Sequence, residues 1–181
     1  MSDVVIRRAE PGDAPVLAAL RRRFKVEEDG DGAPPDGDVP QGGDVPWGGD
    51  VPPDGDVPQG EERFLAECGE WLRTRLAGPW RAWLAEVDGR PCGHVFVCLV
   101  EKVPSPFPGS DALGYVTNFY VTPEQRNRGL GRALLDEVNR YARSHRLDTL
   151  IVWPSEGSAP LYRRCGFDGP AELLEQPVEP S

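Results

Sequence analysis

The residues whose types and spacing best suggest chemistry are Arg126-Asn127-Arg128-Gly129-Leu130-Gly131. They follow Tyr115 to Val121, a run rich in β-branched and aromatic residues that reads as a strand, closed by Thr122 and Pro123. After them Leu130, Leu134, Val138 and Tyr141 recur at helical spacing, with polar Arg132, Asp136 and Arg140 between. Strand, glycine turn and helix together form an anion cradle. The first helical N–H groups have no partner within the helix, and the helix dipole adds partial positive charge at that end. Glycines 129 and 131 allow close approach of a diphosphate, and Arg126, Arg128 and Arg132 add formal charge. A tight turn before an amphipathic helix accounts for the same pattern more simply. Two phosphate-binding alternatives fall away. Position 134 is Leu where a dinucleotide fingerprint needs glycine, and no Gly-Lys-Ser/Thr follows.

A second segment, Ala159-Pro160-Leu161-Tyr162-Arg163-Arg164-Cys165-Gly166-Phe167, lies about thirty residues further on. With it the chain resembles the GNAT superfamily of acetyl-CoA-dependent N-acetyltransferases. Arg126-x-x-Gly129-x-Gly131 resembles the family's Gln/Arg-x-x-Gly-x-Gly/Ala motif, and Leu161-Tyr162 to Gly166-Phe167 its Leu-Tyr-x-x-x-Gly-Phe segment. The two motifs in order, with a strand between, are far more specific than either alone. The resemblance spans the chain apart from one insertion.

The resemblance implies an α/β fold of mixed α+β type: a mixed, mostly antiparallel central sheet with splayed central strands, flanked by helices. It implies that acetyl-CoA is the cosubstrate and an amine, small molecule or exposed amino group, the acceptor, with direct transfer through a ternary complex. A bulged central strand would offer backbone to pantetheine at Phe119, Tyr120 and Val121. The diphosphate would take N–H groups from Arg126, Asn127, Arg128, Gly129, Leu130, Gly131 and Arg132. Tyr162 matches the tyrosine that protonates the coenzyme thiolate; a phenol with an ordinary pKa of about 10 suits that step. Relatives often carry Asn seven residues earlier, where this chain has Ser155, placed by the resemblance at the pantetheine arm. Relatives often dimerise, so a homodimer is compatible with the resemblance.

No general base stands out. Glu86 and Glu101 near strand ends are candidates, although solvated surface carboxylates are the commoner explanation. Asn118 could orient the acceptor or a water, and Glu27 and Glu28, ending the first helix, could attract a cationic amine. A coenzyme-binding interaction module with weak turnover, using the acidic repeat below as its partner contact, is the competing reading.

The chain has 181 residues and a net charge of −10, which points to one domain over residues 1–181. The charge is local. Val26 to Gly60 holds ten acids and no Lys or Arg, leaving 20 acids against 20 bases elsewhere. That argues against nucleic acid or an anionic membrane as partner. Within residues 29–60 a six-residue unit recurs, as in Gly37-Asp38-Val39-Pro40-Gln41-Gly42 and Gly43-Asp44-Val45-Pro46-Trp47-Gly48. Nine Gly and seven Pro there, with six apolar side chains, bury too little to offset ordering. The expectation is a disordered insertion, with a lid or partner tether as the functional alternative. The N-terminal residues show no signal-peptide pattern, and no apolar run reaches the ~20 residues of a membrane span. Cys68, Cys92, Cys98 and Cys165 lack Cys-x-x-Cys spacing, and with only His94 and His145 a metal site is not expected. A cytoplasmic protein with reduced thiols is the expectation.

These residues need elements to hold them. A strand is expected over 3–8, then a helix capped by Asp13 and carrying Leu17, Leu20 and Phe24 inward. Its run Arg21-Arg22-Arg23 reads as a solvated face. Glu61 to Leu76 reads as an amphipathic helix with Phe64, Leu65, Cys68, Trp71, Leu72 and Leu76 on one face; Trp71 could also line an acceptor pocket. Trp80–Val87 and Pro91–Val103 read as a hairpin through Asp88-Gly89, with His94 a satisfied strand residue. After the helix from Leu130 to about Arg146, Leu147 to Trp153 reads as a strand. A short helix follows, capped by Ser155 or Ser158 and ended by Gly166, and 171–177 could form a last edge strand.

Overall fold

The computed structural model describes residues 3–30, 57–104, 106 and 111–169. In chain order it contains β1 (Val4–Arg8), α1 (Ala14–Gly30), α2 (Val57–Leu76), β2 (Trp80–Val87), β3 (Arg90–Glu101) and β4 (Ala112–Val121). The helix α3 (Leu130–Ser144), the short β5 (Leu150–Ile151) and α4 (Ala159–Arg164) follow. The strands make one sheet in sequential order, antiparallel from β1 to β4 and parallel between β4 and β5. This is the mixed, mostly antiparallel sheet flanked by helices that the resemblance implies.

The sheet is covered on both faces. Trp83, Ala85, Val95, Val97 and Val116 pack with α3 residues Leu130, Leu134, Leu135 and Val138. Ala82, Leu84, Phe96 and Tyr120 pack with Leu17, Leu20, Leu72 and Leu76 of α1 and α2. The apolar runs of β2 and β3 therefore lack the alternation of a half-exposed strand because both sides are interior. Asp88 (φ 50°) and Gly89 (φ 71°) are both left-handed, as the tight hairpin turn between β2 and β3 requires.

Several local expectations change. Asp13 does not cap α1. It closes a 3-10 turn, Pro11–Asp13, and its carboxylate accepts from the Glu10 N–H at 2.8 Å and from both Arg7 terminal nitrogens at 2.7 and 2.8 Å. Arg7 also reaches Glu86 on β2 at 2.8 Å, so one guanidinium joins β1, the turn and β2. The expected insertion of 29–60 is too wide, because α1 runs to Gly30 and α2 begins at Val57, inside the last repeat unit. Pro58 fits there because a first helical turn has no intrahelical N–H bond to lose. Residues 31–56, Trp47 among them, and the expected strand 171–177 lie outside the described residues. Phe64, expected on the buried face of α2, is 37% exposed, while its neighbour Leu65 packs against the core, so Phe64 lies at the margin of that face.

The Arg7 guanidinium holds the Asp13 carboxyl below its ordinary value, against the opposing effect of burial. The sign follows directly. A depressed folded-state pKa contributes stability above the unfolded value, near 4, and that contribution is lost as pH falls through the lower folded value. Asp13→Asn is therefore expected to flatten the acid limb of Tm against pH below about pH 4, read by thermal melts from pH 6 to 2.5. An acid limb identical to wild type would show that the cluster contributes nothing.

Candidate active site

The site is built on β4. Its β3 side is paired from Ala112 to Val121, but β5 matches it only at Gly114↔Leu150 and Tyr115↔Ile151. The strand expected over Leu147 to Trp153 is thus cut to two residues. Beyond Ile151 the chain leaves β4, so the β4 edge from Val116 to Val121 faces no strand among the described residues. The β3–β4 register also slips: Phe96 opposes Thr117 and His94 opposes Tyr120, so Asn118 and Phe119 share the single residue Val95. Asn118 carries the strain at φ 49°, a left-handed conformation that Asn tolerates better than most residues. A bulge of this kind bends its strand and increases its twist, which separates β4 from β5.

The gap is walled by aromatic side chains. Phe119 meets Tyr162 edge-on at a centroid distance of 5.9 Å, and Tyr162 meets Phe167 at 5.3 Å. Tyr162, from α4, is 4% exposed. Asn139 of α3 fixes the end of α4 by donating from Nδ2 to the Cys165 carbonyl at 3.2 Å. Burial, and then the proximity of Tyr115 and Cys165, push the Tyr162 phenol well above its ordinary value. The phenol therefore stays protonated across the neutral pH range.

Beyond Val121 a 3-10 turn, Pro123–Gln125, leads to Asn127 (φ 59°) and Gly129 (φ 84°), and α3 begins at Leu130. The N–H groups of Leu130, Gly131 and Arg132 have no carbonyl four residues back within the helix, so they project from its end. The two glycines act differently. Gly129 is fixed by its positive φ, and a Cβ there would meet nothing within 4 Å. Gly131 is fixed by contact: a Cβ would lie 3.0 Å from Phe119 Cζ and 3.1 Å from Leu161 Cδ2. The glycine turn and the aromatic wall are therefore one packed unit.

The arginine side chains are largely engaged by the protein. Arg126 donates from Nε to the Val121 carbonyl at 3.0 Å and pairs through Nη2 with Glu27 of α1. Arg128 reaches Gln125, and Arg132 lies 3.7 Å from Asp136. Backbone N–H groups, more than guanidinium charge, remain to face an anion. Ser155 accepts at its carbonyl from the N–H groups of Ser158 and Ala159, both at 3.0 Å, and its hydroxyl donates to Ser158 Oγ at 3.0 Å. Neither serine side chain caps α4, contrary to expectation; the Ser155 carbonyl organises the turn instead. Gly166, at φ 91°, follows the helix end as expected.

The carboxylates considered as bases lie elsewhere. Glu86 is held by Arg7, and Glu101 opposes Ala112, at the far end of β4 from the bulge. Glu27 is occupied by Arg126 and by the Tyr120 hydroxyl, which donates to Oε2 at 3.1 Å; Glu28 pairs with Lys25 at 2.7 Å. Asn118 Nδ2 lies 3.4 Å from Thr117 Oγ1. Nor do the arginines of α1 form a purely solvated face. Arg22 pairs with Glu61 at 2.7 Å, Arg23 with Glu124 at 3.4 Å, and Arg21 lies over the Phe24 ring. Trp71 is half-buried, edge-on to Trp80 at 5.3 Å. A cavity of about 600 Å³ is lined by Arg23, Asp88, Arg90, Cys92, Thr122 and Glu124, and Tyr162 is not part of its lining. Among the described residues no cluster of three His, Cys, Asp or Glu could hold a metal ion.

The expectation that fails most plainly is His94. It is a strand residue, but it is fully buried and neither ring nitrogen has a hydrogen-bond partner. An orphaned buried polar group of this kind costs about 1–3 kcal/mol, and nothing in the strand pattern announced it.

Residues 52–167 match the model of the family described as Acetyltransferase (GNAT) family. The chain belongs to the GNAT acetyltransferase family. It is 36% identical over 96 residues to glucosamine 6-phosphate N-acetyltransferase of Trypanosoma brucei brucei, which covers 53% of this chain and 63% of that protein. The chain thus spans less than two thirds of that relative. Among solved structures it is similar to a GCN5-related N-acetyltransferase from Ralstonia eutropha JMP134, with a TM-score of 0.66 and 23% identity over 97% of this chain and 99% of the other. An acetyltransferase from Clostridium acetobutylicum, solved with acetyl-CoA, gives a TM-score of 0.64 at 19% identity, covering 97% and 96% of the two chains. At these identities the structural matches establish the GNAT fold alone. No described helix is long and apolar enough to cross a membrane.

Proposed function

We propose that this GNAT-family chain transfers an acetyl group from acetyl-CoA to an amine, directly and within a ternary complex. The observation that carries this reading is the continuity of one surface: the unpaired β4 edge runs past the Phe119–Tyr162 contact into the N-terminus of α3. An extended amide-bearing arm suits an open strand edge, because each supplies what the other lacks. A diphosphate suits the helix N-terminus that follows. In this reading Phe119, Tyr120 and Val121 supply strand backbone, and residues 126–132 supply N–H groups. Ser155 borders the arm, and Tyr162 donates to the leaving sulfur.

The chemistry needs the acceptor nitrogen neutral and oriented, so that the N–C bond forms as the C–S bond breaks. The nitrogen loses one proton and the sulfur gains one. Tyr162, kept neutral by burial, provides the donor for the sulfur, and the bulge at Asn118 opens the sheet at the level where the groups meet. The amino-sugar phosphate named for the trypanosomal relative makes amino sugars the first acceptors to try. Cysteines 68, 92, 98 and 165 are free thiols, which supports a reducing, cytoplasmic setting. The site engages small molecules, with neither nucleic acid nor membrane as partner, and a homodimer fits the family pattern.

Acetyl-CoA at a hundred times Kd is expected to add about 2.7 kcal/mol to wild-type stability, read as a thermal shift. Gly129→Glu is expected to lose that shift, because the new carboxylate would stand where the diphosphate binds. A folded wild type with no shift would overturn the reading. One observation favours the competing one: among the described residues no carboxylate free of an ion pair stands at the bulge. A coenzyme-binding module using the acidic repeat would show the shift but no acetylated product with any amine.

A further inference from the structure

Trp153 stands open at the lip of the gap. It is 51% exposed, and its ring meets Tyr115 edge-on at 5.0 Å. Tyr115 is the last residue of β4 that pairs with β5, so the two rings mark the point where the strands part. Register tells which side of the sheet they occupy. Val95, Val97 and Val116 pack under α3 with Tyr162. Tyr115 opposes Cys98, which opposes Trp80, and so belongs to the other side, with Trp80 and Phe96. On that side Leu84, Phe96 and Tyr120 are buried beneath α1 and α2, whereas Thr117 and Tyr115 are only half-buried. The helical cover ends along β4 between Tyr120 and Thr117, and the sheet is open from there to Trp153. The Tyr115 phenol is nevertheless near enough to Tyr162 to help raise its pKa, so the two sides meet through the gap.

We propose that Trp153 and Tyr115 form the acceptor platform of this site, on the side of the sheet away from Tyr162, and that it takes an amine carried on a hydroxyl-bearing ring, as in an amino sugar. This rests on the acetyltransferase reading above and adds the acceptor's place to it. In a ternary complex two reactants cannot share one side of a narrow gap. A coenzyme whose sulfur lies against Tyr162 fills the α3 side, so the amine reaches the thioester carbon from the other, where Trp153 stands. The indole gives a broad, rigid apolar surface for the C–H face of a ring, and covering it removes that surface from water. The hydroxyls of Tyr115 and Thr117, and the Asn118 amide 3.4 Å from Thr117 Oγ1, can donate to and accept from ring hydroxyls. An apolar plate with a few polar groups beside it is the usual make-up of a small-molecule site. Packing alone does not account for Trp153, because half of its surface is left in solvent.

The test compares Trp153→Ala and Trp153→Phe with wild type in the full chain, using glucosamine and the ringless ethanolamine as acceptors, with Tm and acetyl-CoA Kd measured alongside. Trp153→Ala is expected to keep the wild-type Tm and acetyl-CoA Kd, yet to raise KM for glucosamine by about 10-fold or more while KM for ethanolamine changes by less than about twofold. Trp153→Phe, which keeps an aromatic face, should recover much of the loss. Binding is also read without turnover: glucosamine should quench the tryptophan fluorescence of wild type loaded with CoA, and the quench should be absent in Trp153→Phe. A folded Trp153→Ala with wild-type KM for glucosamine overturns the proposal, and an equal rise in KM for both amines overturns its assignment to a ring. A wild type that binds acetyl-CoA but is neither quenched by glucosamine nor able to acetylate it overturns the platform and leaves the coenzyme reading standing. A wild type that gives no thermal shift with acetyl-CoA overturns that reading first, and the platform with it.

Discussion

Tyr162→Phe is expected to lower kcat for acetyl transfer by about 100-fold or more while leaving the acetyl-CoA Kd within about twofold of wild type. The substitution removes one oxygen and keeps the ring that packs against Phe119 and Phe167. The wall of the gap and the seat of α4 are unchanged, so binding and Tm should hold. What is lost is the hydroxyl proposed above as the donor for the departing sulfur. A second expectation separates this role from general damage. The phenol is pushed above its ordinary value by burial, so Tyr162 does not ionise below about pH 10, and the wild-type kcat profile should show no downward limb from it between pH 6 and 9. Steady-state kinetics over that range, with single-turnover measurement to isolate the chemical step, decide the matter. A Tyr162→Phe variant with wild-type single-turnover rates would reduce the residue to packing and transfer the proton-donor role to solvent.

The parts of this site that were legible in the sequence are those encoded over short distances. The glycine turn needs φ > 0 at position 129 and a bare Cα at 131, and both demands leave glycine in the sequence. Tyr162 was visible because its helix, its ring neighbour Phe167 and the terminating Gly166 fall within nine residues of one another. The hairpin through Asp88-Gly89 is local in the same sense. What could not be read depends on distant partners. Glu27 and Arg126 are 99 residues apart, and no local pattern tells that the arginine is turned to α1. The orphaned state of His94 is a property of three strands and a helix face, so a histidine in an apolar run looked ordinary. The short β5 follows from the bulge on β4: Leu147 to Trp153 has a strand composition, but the separation of the sheet leaves it only two partners. Phe64 has the period of a core residue, yet it lies at the margin of the buried face, which turns toward Leu65 instead.

Gly131→Val is expected to destabilise the fold by about 1–3 kcal/mol and to weaken acetyl-CoA binding by more than tenfold, the loss coming from shape alone. The Cβ would already stand 3.0 Å from Phe119 Cζ and 3.1 Å from Leu161 Cδ2, and the γ-methyl groups fill space those side chains occupy. Relief requires Phe119 to move, and Phe119 cannot move without displacing Tyr162, which shares its edge contact. The same displacement shifts the first turn of α3 and so the N–H groups proposed to receive the diphosphate. Gly131→Ala, with the Cβ alone, keeps the variant foldable and should show the same two effects in smaller measure. Gly129→Ala supplies the contrast: its Cβ meets nothing, so its cost is the backbone strain of a left-handed alanine, about 1–2 kcal/mol, without a collision at the aromatic wall. Equal losses of stability but unequal losses of coenzyme affinity, greater for Gly131→Ala, would show that the turn and the wall form one binding device. If Gly131→Ala binds acetyl-CoA as wild type does, the helix N-terminus is not where the diphosphate rests, and the gap beside β4 must receive its ligand by another route.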